Sequence, residues 1–250
     1  MLVLITGASA GFGTAIARRY VAEGHRVIIT GRRAERLQAL AAELGDKAHV
    51  EVFDIRAAEA VASLPQRLPE AWQAIDVLVN NAGLALGLEP AQRAELDDWE
   101  RMVDTNIKGL MHMTRAVLPG MVARGRGHVI NIGSTAGEWP YPGANVYGAS
   151  KAFVRQFSLN LRADLYQTPI RVTNIEPGLA GGTEFSNVRF HGDDDKAATV
   201  YADTQPLSAE DVAEAVYWSS ALPAHVNVNT LSLTPVVQGF GPVAVHRGKA

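Results

Sequence analysis

Short apolar runs rich in valine and isoleucine recur along the chain, and each is followed by a longer stretch whose apolar residues fall at helical spacing. A run that is apolar at nearly every position suits a strand buried on both faces, and parallel strands need a crossover, usually a helix. The pattern predicts strands near 2–6, 26–30, 48–53, 75–79, 127–133 and 170–175, with a seventh near 230–235. Helical periodicity falls near 12–23, 34–44, 57–68, 99–123, 147–166 and 208–220, as in Leu37, Leu40, Ala41 and Leu44. The expected fold class is α/β: a single Rossmann-type, doubly wound parallel sheet of about seven strands with helices on both faces. No linker or change of composition interrupts the 250 residues, so one domain over 1–250 is expected.

Residues 178–206 break this rhythm. The segment leaves the C-terminal end of the sixth strand, the edge at which ligands bind in open α/β sheets. A substrate lid with a short helix of its own is the expectation.

Immediately after the first strand come Thr6-Gly7-Ala8-Ser9-Ala10-Gly11-Phe12-Gly13, then a helical run. Glycines at such a junction let the backbone approach a pyrophosphate, which the free N–H groups and positive end of the helix then hold. The spacing is G-x-x-x-G-x-G, and no lysine followed by Ser or Thr closes it, which argues against a nucleoside-triphosphate loop. The second strand ends in Gly31-Arg32-Arg33, where an NAD-binding chain usually carries a carboxylate for the adenosine ribose. Guanidinium groups there suit a 2′-phosphate, so NADP is the expected cofactor, with Arg32 and Arg33 as main contacts and Ser9 as help. The other reading of these arginines is a solvated helix start. Asp54 and Ile55, after the third strand, flank the adenine or simply end a strand.

With these come Asn80-Asn81-Ala82-Gly83 after the fourth strand, Asn106 in the next helix, Ser134 after the fifth strand, Tyr147-x-x-x-Lys151, and Pro177-Gly178. On these motifs, in this order, the chain resembles the short-chain dehydrogenase/reductase family from Thr6 to its C-terminal region. The resemblance implies an oxidoreductase that moves a hydride between NADP and a CH–OH or carbonyl carbon. It also implies that Asn81, Ala82 and Gly83 pack by the adenosine ribose, that Pro177, Gly178 and Ala180 border the nicotinamide, and that Lys151 holds the nicotinamide ribose.

The residues support that chemistry on their own. Tyr147 and Lys151 are four apart in a helical stretch and so share one face. A neighbouring ammonium and a positive nicotinamide both favour phenolate, which makes Tyr147 a general acid/base. Ser134 can hold the substrate oxygen beside the phenol. Asn106 sits amid Met102, Val103, Ile107 and Leu110, and is expected to interrupt its helix and bind a water that relays protons to Lys151, or else to be an exposed helix residue.

Within the family the segment Gly181-Gly182-Thr183-Glu184-Phe185-Ser186-Asn187-Val188-Arg189-Phe190 resembles members that act on small 3-hydroxy acids. That implies L-allo-threonine, L-serine, 3-hydroxyisobutyrate, 3-hydroxypropionate and malonic semialdehyde as substrates. Arg189 offers a cation for their carboxylate, or is simply an exposed lid arginine. Two rivals stand beside this reading: a reductase of carrier-bound 3-oxoacyl chains, with Arg124 and Arg126 as a docking patch, and a non-enzymatic NADP-binding sensor. Ala180 and Glu138-Trp139-Pro140-Tyr141 are expected to wall the pocket.

A net charge of −3 offers no cationic field for nucleic acid or anionic lipid. No cysteine is present, and the seven histidines lack metal-ligand spacing, so neither a thiol nucleophile nor a metal is expected. The apolar run at the N-terminus ends after Ile5, too short for a signal-peptide core, and the cytoplasm is the expected location. Relatives are commonly homotetramers built through the two long helices, and the resemblance implies the same here.

Overall fold

The computed structural model describes residues 1–240. In chain order it contains β1 (Leu2–Ile5), α1 (Gly11–Ala22), β2 (Arg26–Gly31), α2 (Ala34–Leu44), β3 (Ala48–Val52), α3 (Ala58–Ala62), α4 (Leu64–Arg67), β4 (Val77–Asn80), α5 (Leu96–Met102), α6 (Leu110–Ala123), β5 (Gly127–Ile132), α7 (Asn145–Asp164), β6 (Ile170–Pro177), α8 (Phe185–Arg189), α9 (Asp194–Thr199), α10 (Ala209–Ala221) and β7 (Thr230–Leu233). All seven strands are parallel and form one sheet in the order β3-β2-β1-β4-β5-β6-β7. The order reverses between β1 and β4, so the loops that leave these two strands diverge and open a crevice at their C-terminal ends.

Alternation along each strand feeds two cores. Ile5, Ile29, Val79 and Ile130 face α1, α2 and α10, meeting Ile16, Tyr20, Leu37 and Val216. Leu4, Ile28, Leu78 and Val129 face the opposite layer and meet Met113, Val117 and Leu161. Burying each such side chain contributes about 1.5–3 kcal/mol, which fixes register because a one-residue slip would exchange the two faces. α10 begins where Ser208 and Asp211 cap each other: the Ser208 hydroxyl accepts from the Asp211 N–H at 3.1 Å, and the Asp211 carboxylate accepts from the Ser208 N–H at 2.8 Å.

Three elements differ from the sequence expectation. The helix expected over 57–68 is two pieces, because Pro65 lacks an N–H and starts α4 afresh. The helix expected over 99–123 begins at Leu96 and widens into a π-helical turn over Val103–Gly109 before α6. The lid carries two short helices, α8 and α9, rather than one.

Candidate active site

The first strand delivers the chain into a turn that only glycine permits. Gly7 and Gly11 have φ of +68° and +52°. A Cβ on Gly13 would stand 2.4 Å from the Gly7 carbonyl oxygen and 2.8 Å from Asn81 Nδ2. Gly13→Ala is therefore expected to lower stability by about 1–3 kcal/mol, read as a shift of the urea midpoint. The first N–H groups of α1 lack a side-chain cap, since Ala10 supplies none, and are left for an anion.

β4 is stitched to this turn from the other side. The Thr6 hydroxyl accepts from the Asn81 and Ala82 N–H groups at 3.0 and 2.9 Å, and Asn81 Nδ2 donates to the Thr6 and Gly7 carbonyls. The Asn81 amide thus holds the glycine turn in shape.

Above the turn lies a cleft of about 1060 Å³. That is at the upper limit of ordinary small-molecule pockets and leaves room for an extended ligand beside a second, smaller one. It is lined by Gly7, Ser9, Gly11, Phe12, Arg32, Arg33, Asp54, Ile55, Asn81 and Ala82, by Gly83, which lies beside Lys151, and by Ser134, Tyr147, Lys151, Pro177, Gly178, Ala180 and Arg189. Ala8, Gly13 and Asn106, expected in the site, are not among the lining residues. Ala8 and Gly13 act as backbone, the first fully buried and the second as the point of closest approach.

Asn106 departs furthest from expectation. Its Nδ2 donates to the Leu84 carbonyl at 2.8 Å and to Ser150 Oγ at 3.0 Å, while its Oδ1 accepts from the Leu84 N–H at 2.9 Å. Ser150 in turn donates to the Tyr147 carbonyl at 2.7 Å. The helix is interrupted there, as expected, but the side chain clamps the loop after β4 to the first turns of α7.

Ser134 Oγ accepts from the Ala136 N–H at 3.1 Å and donates to the Pro177 carbonyl at 3.4 Å, which joins the ends of β5 and β6. Lys151 Nζ donates to the Ile132 carbonyl at 2.8 Å and lies 5.8 Å from the centre of the Tyr147 ring. Burial pushes the Tyr147 phenol up to about 12, opposed by the Ser134 hydroxyl and the Arg189 guanidinium. Burial also brings the Lys151 ammonium down to about 8.

Arg189 sits on the Tyr147 side of the lid. Its guanidinium carbon is 5.3 Å from the Tyr147 ring centre and 5.6 Å from that of Tyr141, and its Nη2 donates to the Tyr141 hydroxyl at 2.6 Å. Its Nε is buried without a partner. At the opposite end Arg33 donates to Ser9 Oγ at 3.1 Å and to the Ser9 carbonyl at 3.3 Å. Arg32 lies 3.9 Å from Asp54, whose carboxyl is held below its ordinary value chiefly by hydrogen bonds from Arg56.

Sequence reasoning missed part of the wall. Gln238 accepts from the Leu179 N–H at 2.6 Å, and the Phe240 ring meets Trp139 at 4.6 Å between centres, so the segment after β7 closes one side of the cleft. Phe185 meets Tyr147 edge to face at 5.7 Å. Aromatic character alone marks Phe185 and Phe240 in the sequence, and nothing marks Gln238. Arg124 donates to the Ile75 carbonyl at 2.6 Å, and Arg126, whose side chain stays exposed, pairs with Asp76 at 2.7 Å.

This site, set on this sheet, defines a class. The description of short chain dehydrogenases fits residues 1–193, and the chain belongs to the short-chain dehydrogenase family. Over 247 residues, 99% of this chain and 100% of its relative, it is 64% identical to the NADP-dependent 3-hydroxy acid dehydrogenase YdfG of Salmonella typhi. Sulfoacetaldehyde reductase 2 of Chromohalobacter salexigens is 53% identical over 249 residues, 98% of each chain. Among solved structures, the closed form of a serine dehydrogenase complexed with NADP+ superposes with a TM-score of 0.98 at 63% identity, covering 99% of this chain and 100% of that one.

Proposed function

We propose that this protein is an NADP-dependent dehydrogenase of small 3-hydroxy acids that takes L-allo-threonine, L-serine, 3-hydroxyisobutyrate and 3-hydroxypropionate and reduces malonic semialdehyde. The observation that carries the reading is Arg189, a cation 5.3 Å from the Tyr147 ring centre with a buried, unpartnered Nε. A carboxylate leaving water needs such a partner, and one bound there has its hydroxyl-bearing carbon within reach of the phenol. The relatives named above, which act on a hydroxy acid, on serine and on a sulfonated aldehyde, agree with an anionic head group.

The residues present suit the cofactor. The glycine cradle, which a single Cβ would fill, and the uncapped N–H groups of α1 suit a pyrophosphate. Ser9, Arg32 and Arg33 suit the 2′-phosphate, with Asp54 and Ile55 by the adenine and Asn81, Ala82 and Gly83 along the ribose. Pro177, Gly178 and Ala180 line the nicotinamide end. When bound, NADP supplies the hydride acceptor for the alcohol, and NADPH the donor for the aldehyde. Ser134 holds the substrate oxygen, Tyr147 Oη takes or returns its proton, and the Lys151 ammonium holds the ribose and favours phenolate. The location is the cytoplasm, and the assembly is a homotetramer through α6 and α7, on which Met111 and Leu159 are exposed.

The test follows NADPH consumption with malonic semialdehyde, and NADP reduction with the four alcohols, in wild type and Arg189→Met. The expected result is turnover in wild type, with KM for the carboxylate substrates raised about 10- to 100-fold in the variant, the loss of one charged hydrogen-bond partner. Turnover of none of the panel, with acetoacetyl thioesters reduced instead, would move the protein to the carrier-linked reading. An equal rise in KM for an uncharged aldehyde would remove Arg189 as the carboxylate partner.

A further inference from the structure

Glu184 opens α8 and reaches across the cleft to α2. Its Oε2 lies 2.6 Å from Arg33 Nη1 and its Oε1 lies 2.6 Å from Arg36 Nη1, so each carboxylate oxygen takes one guanidinium. The two arginines lower the Glu184 carboxyl below its ordinary value and keep it charged. Arg33 lines the cleft and bonds Ser9, whereas Arg36 is not part of the cleft lining. Among the described residues, the one ion-pair partner of Arg36 is Glu184.

A carboxylate beside the cations that suit a 2′-phosphate weakens the local positive field, so the contact does nothing for cofactor affinity by charge alone. Its use lies five residues away. Glu184 and Arg189 bound one short helix, which advances about 1.5 Å per residue and transmits the position of one end to the other. The rest of the lid's seating agrees. The Gly87 N–H donates to the Arg189 carbonyl at 2.8 Å, and His191 lies 2.9 Å from Asp98. These contacts hold the far end of α8, and the Glu184 pair holds the near end.

We propose that Arg36 and Glu184 form a latch that seats the lid, and that Arg36 is a positioning residue for substrate acting through Glu184 and α8 on Arg189. The kinetic part rests on the reading of Arg189 given above. The latch itself stands on geometry alone.

The experiment compares wild type, Arg36→Gln, Arg36→Lys, Glu184→Gln and the Arg36→Gln/Glu184→Gln double variant. Two readouts are taken: KM and kcat for the best substrate of the panel, and the rate at which trypsin cuts the NADPH-bound protein at Lys196, an exposed lid residue. Arg36→Gln is expected to raise KM about fivefold, the upper range for an exposed ion pair, with kcat and the Kd for NADPH within about twofold. Trypsin cutting should quicken, Arg36→Lys should recover much of both effects, and the double variant should be no worse than Glu184→Gln. Strictly additive effects, an unchanged cutting rate, or an equal rise in the NADPH Kd and substrate KM would overturn the latch. Faster cutting in a protein that turns over no hydroxy acid would leave the latch standing while the substrate reading falls.

Discussion

Tyr147→Phe is expected to lower kcat in both directions by about 10²–10⁴-fold, the span that a positioned acid/base supplies, while the protein stays folded and keeps its affinity for NADPH. The ring is retained and the phenolic oxygen alone is lost. Tyr147 is 8% exposed and belongs to a small apolar cluster with Ala85, Leu86, Met102 and Ala136, so phenylalanine fills the same space. Asn106, Ser150 and the backbone of α7 hold the turn through main-chain atoms that the substitution leaves untouched. Unfolding midpoints and NADPH titration check that half of the expectation, and steady-state rates check the other.

The wild-type pH profile follows from the same geometry. With the phenol pushed up to about 12, the neutral form prevails near pH 7 and is ready to donate in aldehyde reduction. Alcohol oxidation needs the phenolate, so its kcat/KM rises with pH while Lys151 keeps its charge, up to about pH 8, whereas reduction, which uses the neutral phenol, stays flat over that range. In Tyr147→Phe that rise should vanish. A variant retaining wild-type kcat and the alkaline rise would take the proton transfer away from Tyr147.

The sheet was legible because its signal is local. Residues 27–30 and 77–80 are apolar or nearly so throughout, and the helices between such runs carry their own periodicity. The pairing of Tyr147 with Lys151 was legible for the same reason, since a spacing of four on a helix is a statement about one face. What the sequence did not carry depends on contacts between distant segments. Nothing near Asn106 in the sequence announces that its amide meets the Leu84 carbonyl and N–H, 22 residues earlier, at 2.8 and 2.9 Å. Gln238 and Phe240 close the cleft from the far end of the chain, and nothing in their neighbourhood announces it. The burial of Tyr147 is a further case, because spacing shows which cation is near but not how completely water is excluded. Glu184 falls in the lid segment, whereas its partners at the start of α2 lie about 150 residues earlier in the chain, and no periodicity spans that distance.

Lys151 shows how the same burial that shapes the site strains the fold, and Lys151→Met is expected to separate the two effects. Lys151 is 7% exposed, and among the described residues its ammonium hydrogen-bonds the Ile132 carbonyl alone. Burial moves the group from 10.5 to about 8, which corresponds to a folding penalty on the order of 3 kcal/mol while the group is charged. The folded state releases its proton before the unfolded state does. The penalty is therefore present in full below pH 8 and is relieved as pH rises toward 10.5. Methionine fills a similar volume with no charge to desolvate, and leaves the Ile132 carbonyl short of a donor at a cost of about 1–3 kcal/mol. The net expectation is a gain of about 0–2 kcal/mol at pH 7, or up to roughly 8 °C in Tm for a chain of this length. The gain should shrink between pH 8 and 10.5 as the wild-type lysine loses its charge. Activity should move the other way, with kcat/KM lower by about a hundredfold or more once the cation beside Tyr147 is gone. Differential scanning calorimetry over pH 6–10 and steady-state rates on the same samples test both halves. A Tm that falls at pH 7 would mean that the carbonyl contact outweighs desolvation, and a gain that does not change with pH would mean that the charge of Lys151 is not its source.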